Sequence, residues 1–302
     1  MFDILARAGC FVIIIILGYV LRRVGLFQRS DFNVLSKIVI KITLPASIVA
    51  SFAGKQIDWS LLSLAVMGLA AGVLYMALAW LMNRKGGKEH QAFGMVNLAG
   101  YNIGCFTLPF VQTFLGPAGV IVASLFDIGN ACVCLGGSYS IAAIVKDGGG
   151  FSLKRVGKNL IKSVALICYA LMILLQLLRI SLPAPVVSLA EIIGGANAFL
   201  AMLMIGVGFR LEANRAQIGR IVKHLAVRYS VSVLLALLCW FVLPFDRSVR
   251  LVLLLLVFSP IGSAAPAYTA ELDSDVGLAS AVNSLTIVIS IVIITALLTV
   301  LM

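Results

Sequence analysis

Residues 91–116 read QAFGMVNLAGYNIGCFTLPFVQTFLG, and this stretch decides what kind of chain this is. It is apolar enough to cross a bilayer, yet it contains Asn97, Asn102, Gly104, Thr107 and Pro109, which a helix serving only as a lipid contact would avoid. Pro109 has no backbone N–H and its ring presses on the preceding turn, so carbonyls near Cys105 and Phe106 are expected to lose their partners. Hydrocarbon supplies no water in their place. Irregular backbone at that depth is tolerated only where it is packed in protein or lines a wet cavity, so the stretch is a candidate binding site.

The rest of the chain agrees with a membrane setting. Of its 302 residues 62% are hydrophobic and the mean hydropathy is +1.11, more apolar than a soluble domain of this size can hide. The expected class is an all-α polytopic membrane protein; segments of alternating hydrophobicity, the mark of an outer-membrane barrel, are missing. The net charge of +11 would point to nucleic acid in a soluble chain, but here the positive residues lie between apolar runs, where they orient the protein and meet anionic lipid. No nucleic-acid partner is expected. The six cysteines all fall in apolar runs and read as small buried hydrophobes, with Cys105 the one expected within reach of thiol reagents. The spacing of Cys132 and Cys134 suggests neither a disulfide nor a metal site, and no cofactor or metal is expected.

Runs of spanning length can be marked at 6–21, 32–53, 60–82, 91–115, 119–145, 160–178, 186–209, 221–243, 248–270 and 276–302. Of the 23 lysines and arginines, only Arg7, Lys55, Arg179, Arg247 and Arg250 fall outside the odd-numbered connections. That bias puts both termini on the non-cytoplasmic side. The connection from span nine to span ten holds Glu271, Asp273 and Asp275 with no basic residue; acidic groups orient weakly, and Asp275 reads as the cap of the last helix.

The polar connection at 146–158 divides the chain into residues 1–145 and 146–302, five spans each. Repeats with an odd number of spans must be inverted in the membrane. Span nine repeats the interruption of span four with Ser259, Pro260, Gly262, Ser263 and Pro266, and Asn130 and Asn283 lie in the helices that follow. Interrupted helices at corresponding places in two halves point to a transporter site, where half-helix ends with free N–H groups favour an anion.

Taken together, LGYVLRRVGLF in span one, ITLPASI with Pro45 in span two, NIGCFTLPF in span four, ANAFLAMLMIG around Asn197 in span seven and AAPAYTAELDSDVGLASAVNS across spans nine and ten resemble the auxin efflux carrier family, especially its bacterial malonate or malate permeases. The resemblance covers nearly the whole chain. It implies a bacterial inner-membrane secondary transporter of small organic acids, built as two inverted five-helix repeats with crossing helices four and nine. It further implies a scaffold of spans 1, 2, 6 and 7, a transport unit of spans 3–5 and 8–10 that moves against it like an elevator, and a homodimer through the scaffold. By position, Pro109 and Pro266 resemble the crossover prolines and Asn102 the substrate-facing asparagine. An amide there can donate to a carboxylate without holding it too tightly; the other reading is that Asn102 ties down carbonyls of its own helix. Gly104, Ser259 and Ser263 complete the expected substrate site, and Asn197 either joins it or glues close-packed helices.

Charges inside the spans are costly and face partners or cavities. Lys41 and Asp127 each fall about nine residues into a span, near mid-depth. They either pair, or Asp127 relays protons beside Asn130 while Lys41 snorkels to the surface. No deep arginine is expected to grip a carboxylate. His90 and His224 flank spans, which leaves an intramembrane hydrolase without a histidine dyad. The rival readings are a sodium-coupled organic-anion symporter of similar architecture and an anion channel.

Overall fold

The computed structural model describes residues 2–55, 58–148, 153–210 and 215–302, and every regular element among them is helical. Seven stretches are long and apolar enough to cross a membrane, or eight with one bent pair. One of the seven, Arg84–Asp147, has 64 residues. Straight, it would measure about 96 Å, three times the hydrocarbon thickness. It is not straight. After α5 (Gly87–Leu98) the chain runs without helical bonding through Ala99–Asn102, where Gly100 has φ +80°. Helix α6 (Leu108–Cys132) bends at Gly116 before Pro117, and Leu135 and Gly136 interrupt the path into α7 (Ser138–Asp147).

The first break lies seven residues or more before Pro109, not at the carbonyls of Cys105 and Phe106. Pro109 stands in the first turn of α6, where a missing N–H costs little. The five residues ahead of that helix, Ile103–Thr107, form one wide turn in which Thr107 N–H donates to Asn102 and Leu108 N–H to Ile103, five residues back. Bonds of this kind make room for the ring. The same device precedes Pro45, where Val39–Thr43 forms a wide turn between α2 (Asp31–Ile38) and α3 (Leu44–Phe52). Both sites carry Thr-Leu-Pro, and the two turns meet, since a β-carbon on Gly104 would lie 2.8 Å from Leu44 Cδ2.

In the second half, α13 (Arg247–Val257) and α14 (Ala265–Glu271) are separated by the irregular stretch at 258–264, and Pro266 opens α14. Helix α8 (Leu153–Lys162) falls where a polar connection and the start of span six were expected. It buries Val156, exposes Leu153 and Ile161, and is bent 71° from α9 (Val164–Leu177). Residues 149–152, inside the expected boundary between halves, lie outside the described residues.

Small residues set the closest packing. Helix α1 (Phe2–Arg23) lies backbone to backbone on α11 (Asn197–Gly208), because a β-carbon on Gly206 would stand 2.0 Å from Ile15 O and one on Gly18 2.4 Å from Leu203 O. Helix α4 (Ser63–Met82) meets α6 in the same way through Gly68 and Gly129. Gly194 of α10 (Ala184–Gly195) rests on the backbone of Ser47 in α3. Around these pairs, α12 (Ile218–Phe241) packs on α13, and α14 packs on α5 and α15 (Val276–Leu301).

The acidic connection between α14 and α15 faces basic residues from other connections. Arg155 pairs with Glu271, Lys146 donates to Leu272 O, and Arg220 reaches Asp275 at 3.5 Å. Asp275 also caps α15 by accepting from Leu278 N–H at 2.9 Å.

Candidate functional site: the junction of two helix breaks

The two breaks meet. Asn102 N–H donates to Pro260 O at 2.9 Å, the Thr107 and Ser259 hydroxyls are hydrogen-bonded, and Asn97 Nδ2 donates to Thr269 Oγ1 at 2.8 Å. Each break is also held by an amide from farther along the chain. Asn130 in α6 receives Tyr101 N–H at 2.9 Å and donates to Tyr101 O at 2.9 Å, while Asn283 in α15 donates to Ile261 O and Gly262 O at 3.2 and 3.3 Å. Backbone groups that no helix could satisfy are thus satisfied by side chains, as a site without bulk water requires.

Arg228 joins the two breaks from behind. By sequence it groups with the basic residues of a connection, but it is fully buried in α12. Its guanidinium donates to Leu98 O, at the end of α5, and to Ser259 O, just past the end of α13, the latter at 2.9 Å. The rings of Tyr75 and Tyr101 face it at 4.6 and 4.7 Å, and its Nε has no acceptor. Carbonyls at helix C-termini carry partial negative charge, and here one cation serves two of them. The expectation that no arginine lies deep is therefore wrong. Its depth was readable: ten residues from Ile218 is about 15 Å along a helix, half the hydrocarbon thickness.

Two cavities open on either side of the junction, and Asn102 and Ser263 line both. The first, of about 140 Å³, is also bounded by Gly104, Cys105, Asp127, Asn130 and Tyr169. The second, of about 220 Å³, runs from Pro266 and Asn283 past Ser280 and Ser284 to Arg22, Arg29 and Arg210. Each has room for several waters. Their charge differs in sign: an aspartate in one, arginines in the other. Arg22 is steadied by donating to Val207 O and Phe209 O at 2.7 and 2.8 Å.

Asp127 accepts from Asn130 Nδ2 at 2.8 Å and from Tyr169 OH at 3.1 Å. Lys41 is not brought to it. That lysine is exposed and lines a shallow groove with Lys162. Pro109 and Ser259 are buried behind the junction and line neither cavity. Asn197 is buried at the start of α11, accepts from Thr43 Oγ1 at 3.0 Å and also lies off both cavities. Cys105 is buried and lines the first cavity.

Comparisons with known proteins agree with a polytopic membrane protein. Residues 10–145 match the model of a family described as membrane transport protein. Over 286 residues the chain is 23% identical to an uncharacterized transporter of Methanothermobacter thermautotrophicus, covering 93% of each protein.

Proposed function

For a chain that belongs to the auxin efflux carrier family of membrane transporters, we propose a secondary transporter of small organic anions working by elevator-type alternating access. The observation that carries this reading is the Asn102–Pro260 hydrogen bond, because it makes the two helix breaks one site with a cavity on each side. The anion enters the second cavity. There Arg22 and Arg210 attract a carboxylate, and Asn102 and Ser263 at its inner end can donate to one. Asp127 repels an anion from the first cavity.

The chain crosses the membrane ten times in this reading, in two inverted halves. Corresponding breaks, each tied to an asparagine farther along the chain, support that symmetry. The division into scaffold and transport unit is supported by where backbones touch: α1 on α11 and α3 on α10 within one group, α4 on α6 within the other. Contacts between the groups run through side chains such as Tyr169 and Leu44, which can slide. The face carrying Arg22, Arg155, Arg220 and Lys223 is cytoplasmic by the positive-inside bias, with both termini opposite. A bacterial inner membrane and a scaffold-mediated homodimer belong to the same reading.

Counterflow in proteoliposomes with a panel of small carboxylates tests it. Asn102→Ala should lower uptake roughly tenfold or more, the loss of a hydrogen bond to a charged group, without lowering the melting temperature. Unchanged uptake would remove Asn102 from the site, and absence of counterflow with every carboxylate would remove the transport reading.

A further inference from the structure

Among the described residues Arg228 is the only buried lysine, arginine, aspartate or glutamate, and it has no ion pair. Its acceptors are two neutral carbonyls and its neighbours two tyrosine rings. Asp127 is the one acidic group on the cavities. Its hydrogen-bond partners, Asn130 and Tyr169, are neutral, and its cavity adds the titratable groups Cys105, Cys134 and Tyr268. Of the helices packed on α6, α3, α4, α9 and α11 contain no charged residue, α13 has Arg247 and Arg250 in its first turn, and α8 has Lys154, Arg155, Lys158 and Lys162. The interior of the group formed by α4–α7 and α12–α15 therefore holds one fixed positive charge and one titratable negative charge. A bridge connects them: Asp127 binds Asn130, Asn130 binds the Tyr101 backbone, and the Tyr101 ring faces Arg228.

Resting on the transport reading above, we propose that Arg228 fixes the charge of the moving group so that each monovalent anion travels with one proton on Asp127. Empty, the group is neutral inside, Arg228 balancing ionised Asp127. A bound carboxylate adds one negative charge, and a proton taken from water onto Asp127 cancels it. Both leave on the other side. Moving an unbalanced charge through a membrane potential costs free energy in proportion to that potential, which makes the neutral states the mobile ones.

The experiment is net uptake of a monocarboxylate into proteoliposomes, with a pH gradient or a potassium–valinomycin potential imposed separately. Wild type should accumulate cargo about tenfold for one unit of inside-alkaline gradient and ignore an inside-negative potential. Asp127→Asn should lose the pH response and become inhibited by the potential, since its empty group returns with one positive charge. Arg228→Met should also become inhibited by the potential, and Arg228→Lys should restore wild-type behaviour; a merely structural role would not move this readout. Where Arg228→Met fails to fold, Asp127→Asn decides. Wild-type uptake that follows potential rather than pH, or a retained pH response in Asp127→Asn, overturns the inference while counterflow leaves the transport reading standing. Loss of counterflow in wild type overturns both.

Discussion

Asn130 and Tyr101 exchange two hydrogen bonds of 2.9 Å, side-chain amide to backbone, in the way that neighbouring strands pair. The amide of α6 thereby stands in for the helical partners that the break took away. Removing it strands the buried Tyr101 N–H and leaves Tyr101 O only the weak Cys134 thiol donor at 3.7 Å, the lost partners costing about 1–3 kcal/mol each. Asn130→Ala should therefore lower stability by roughly 2–4 kcal/mol, read as a melting temperature in detergent. Asn283→Ala, whose bonds are longer at 3.2 and 3.3 Å, should lower it less. A melting temperature for Asn130→Ala equal to wild type would mean that water holds the break open instead.

The glycine contacts make a prediction about rigid pairing. A β-carbon at Gly129 would stand 1.7 Å from Ala65 O and one at Gly206 2.0 Å from Ile15 O, both unyielding backbone atoms. Alanine at either position must push two helices apart, an overpacking cost of about 1–3 kcal/mol or more. Gly219→Ala and Gly157→Ala, with open space around them, serve as controls. Size-exclusion profiles and melting temperatures should fall for the first two variants and hold for the controls. Equal behaviour of all four would show that these helices do not touch as closely as described.

How the sequence fails and succeeds here follows from which forces are local. That the chain is broken inside the membrane is legible, because Asn102, Gly104, Pro109, Pro260 and Pro266 interrupt apolar runs. The exact place was not, because a wide turn absorbs Pro109 and moves the break to Ala99–Asn102. Asn102, Ser263 and Asp127 were legible as polar groups at depth, and they line the cavities. Asn197 and Ser259 look the same in sequence, yet each is buried off the cavities and bonded to a threonine of a wide turn; only tertiary placement separates the two cases. Arg228 was hidden by its neighbours, since Arg220 and Lys223 on the same helix made it look like the end of a basic connection. Helix α8 was missed because ten residues with four basic side chains read as loop until one face is seen to be buried.

The sign difference between the cavities gives a last prediction, about where cargo sits. If the carboxylate rests between Asn102 and the arginines, it covers the second cavity and leaves the first open. Ser280 lines the second cavity and is half-buried, so Ser280→Cys places a small thiol there with little change of volume. Cys105 and Cys134 already line the first. With a small neutral thiol reagent and peptide mapping by mass spectrometry, saturating carboxylate should slow modification at the Ser280→Cys position. Modification of Cys105 and Cys134 should proceed at the rate seen without cargo. Cys239, buried away from both cavities, reports global opening and should not respond. Protection of Cys105 in place of the introduced thiol would move the anion beside Asp127. That outcome requires the aspartate to be protonated before cargo binds, because two carboxylates sharing so small a space cannot both stay ionised.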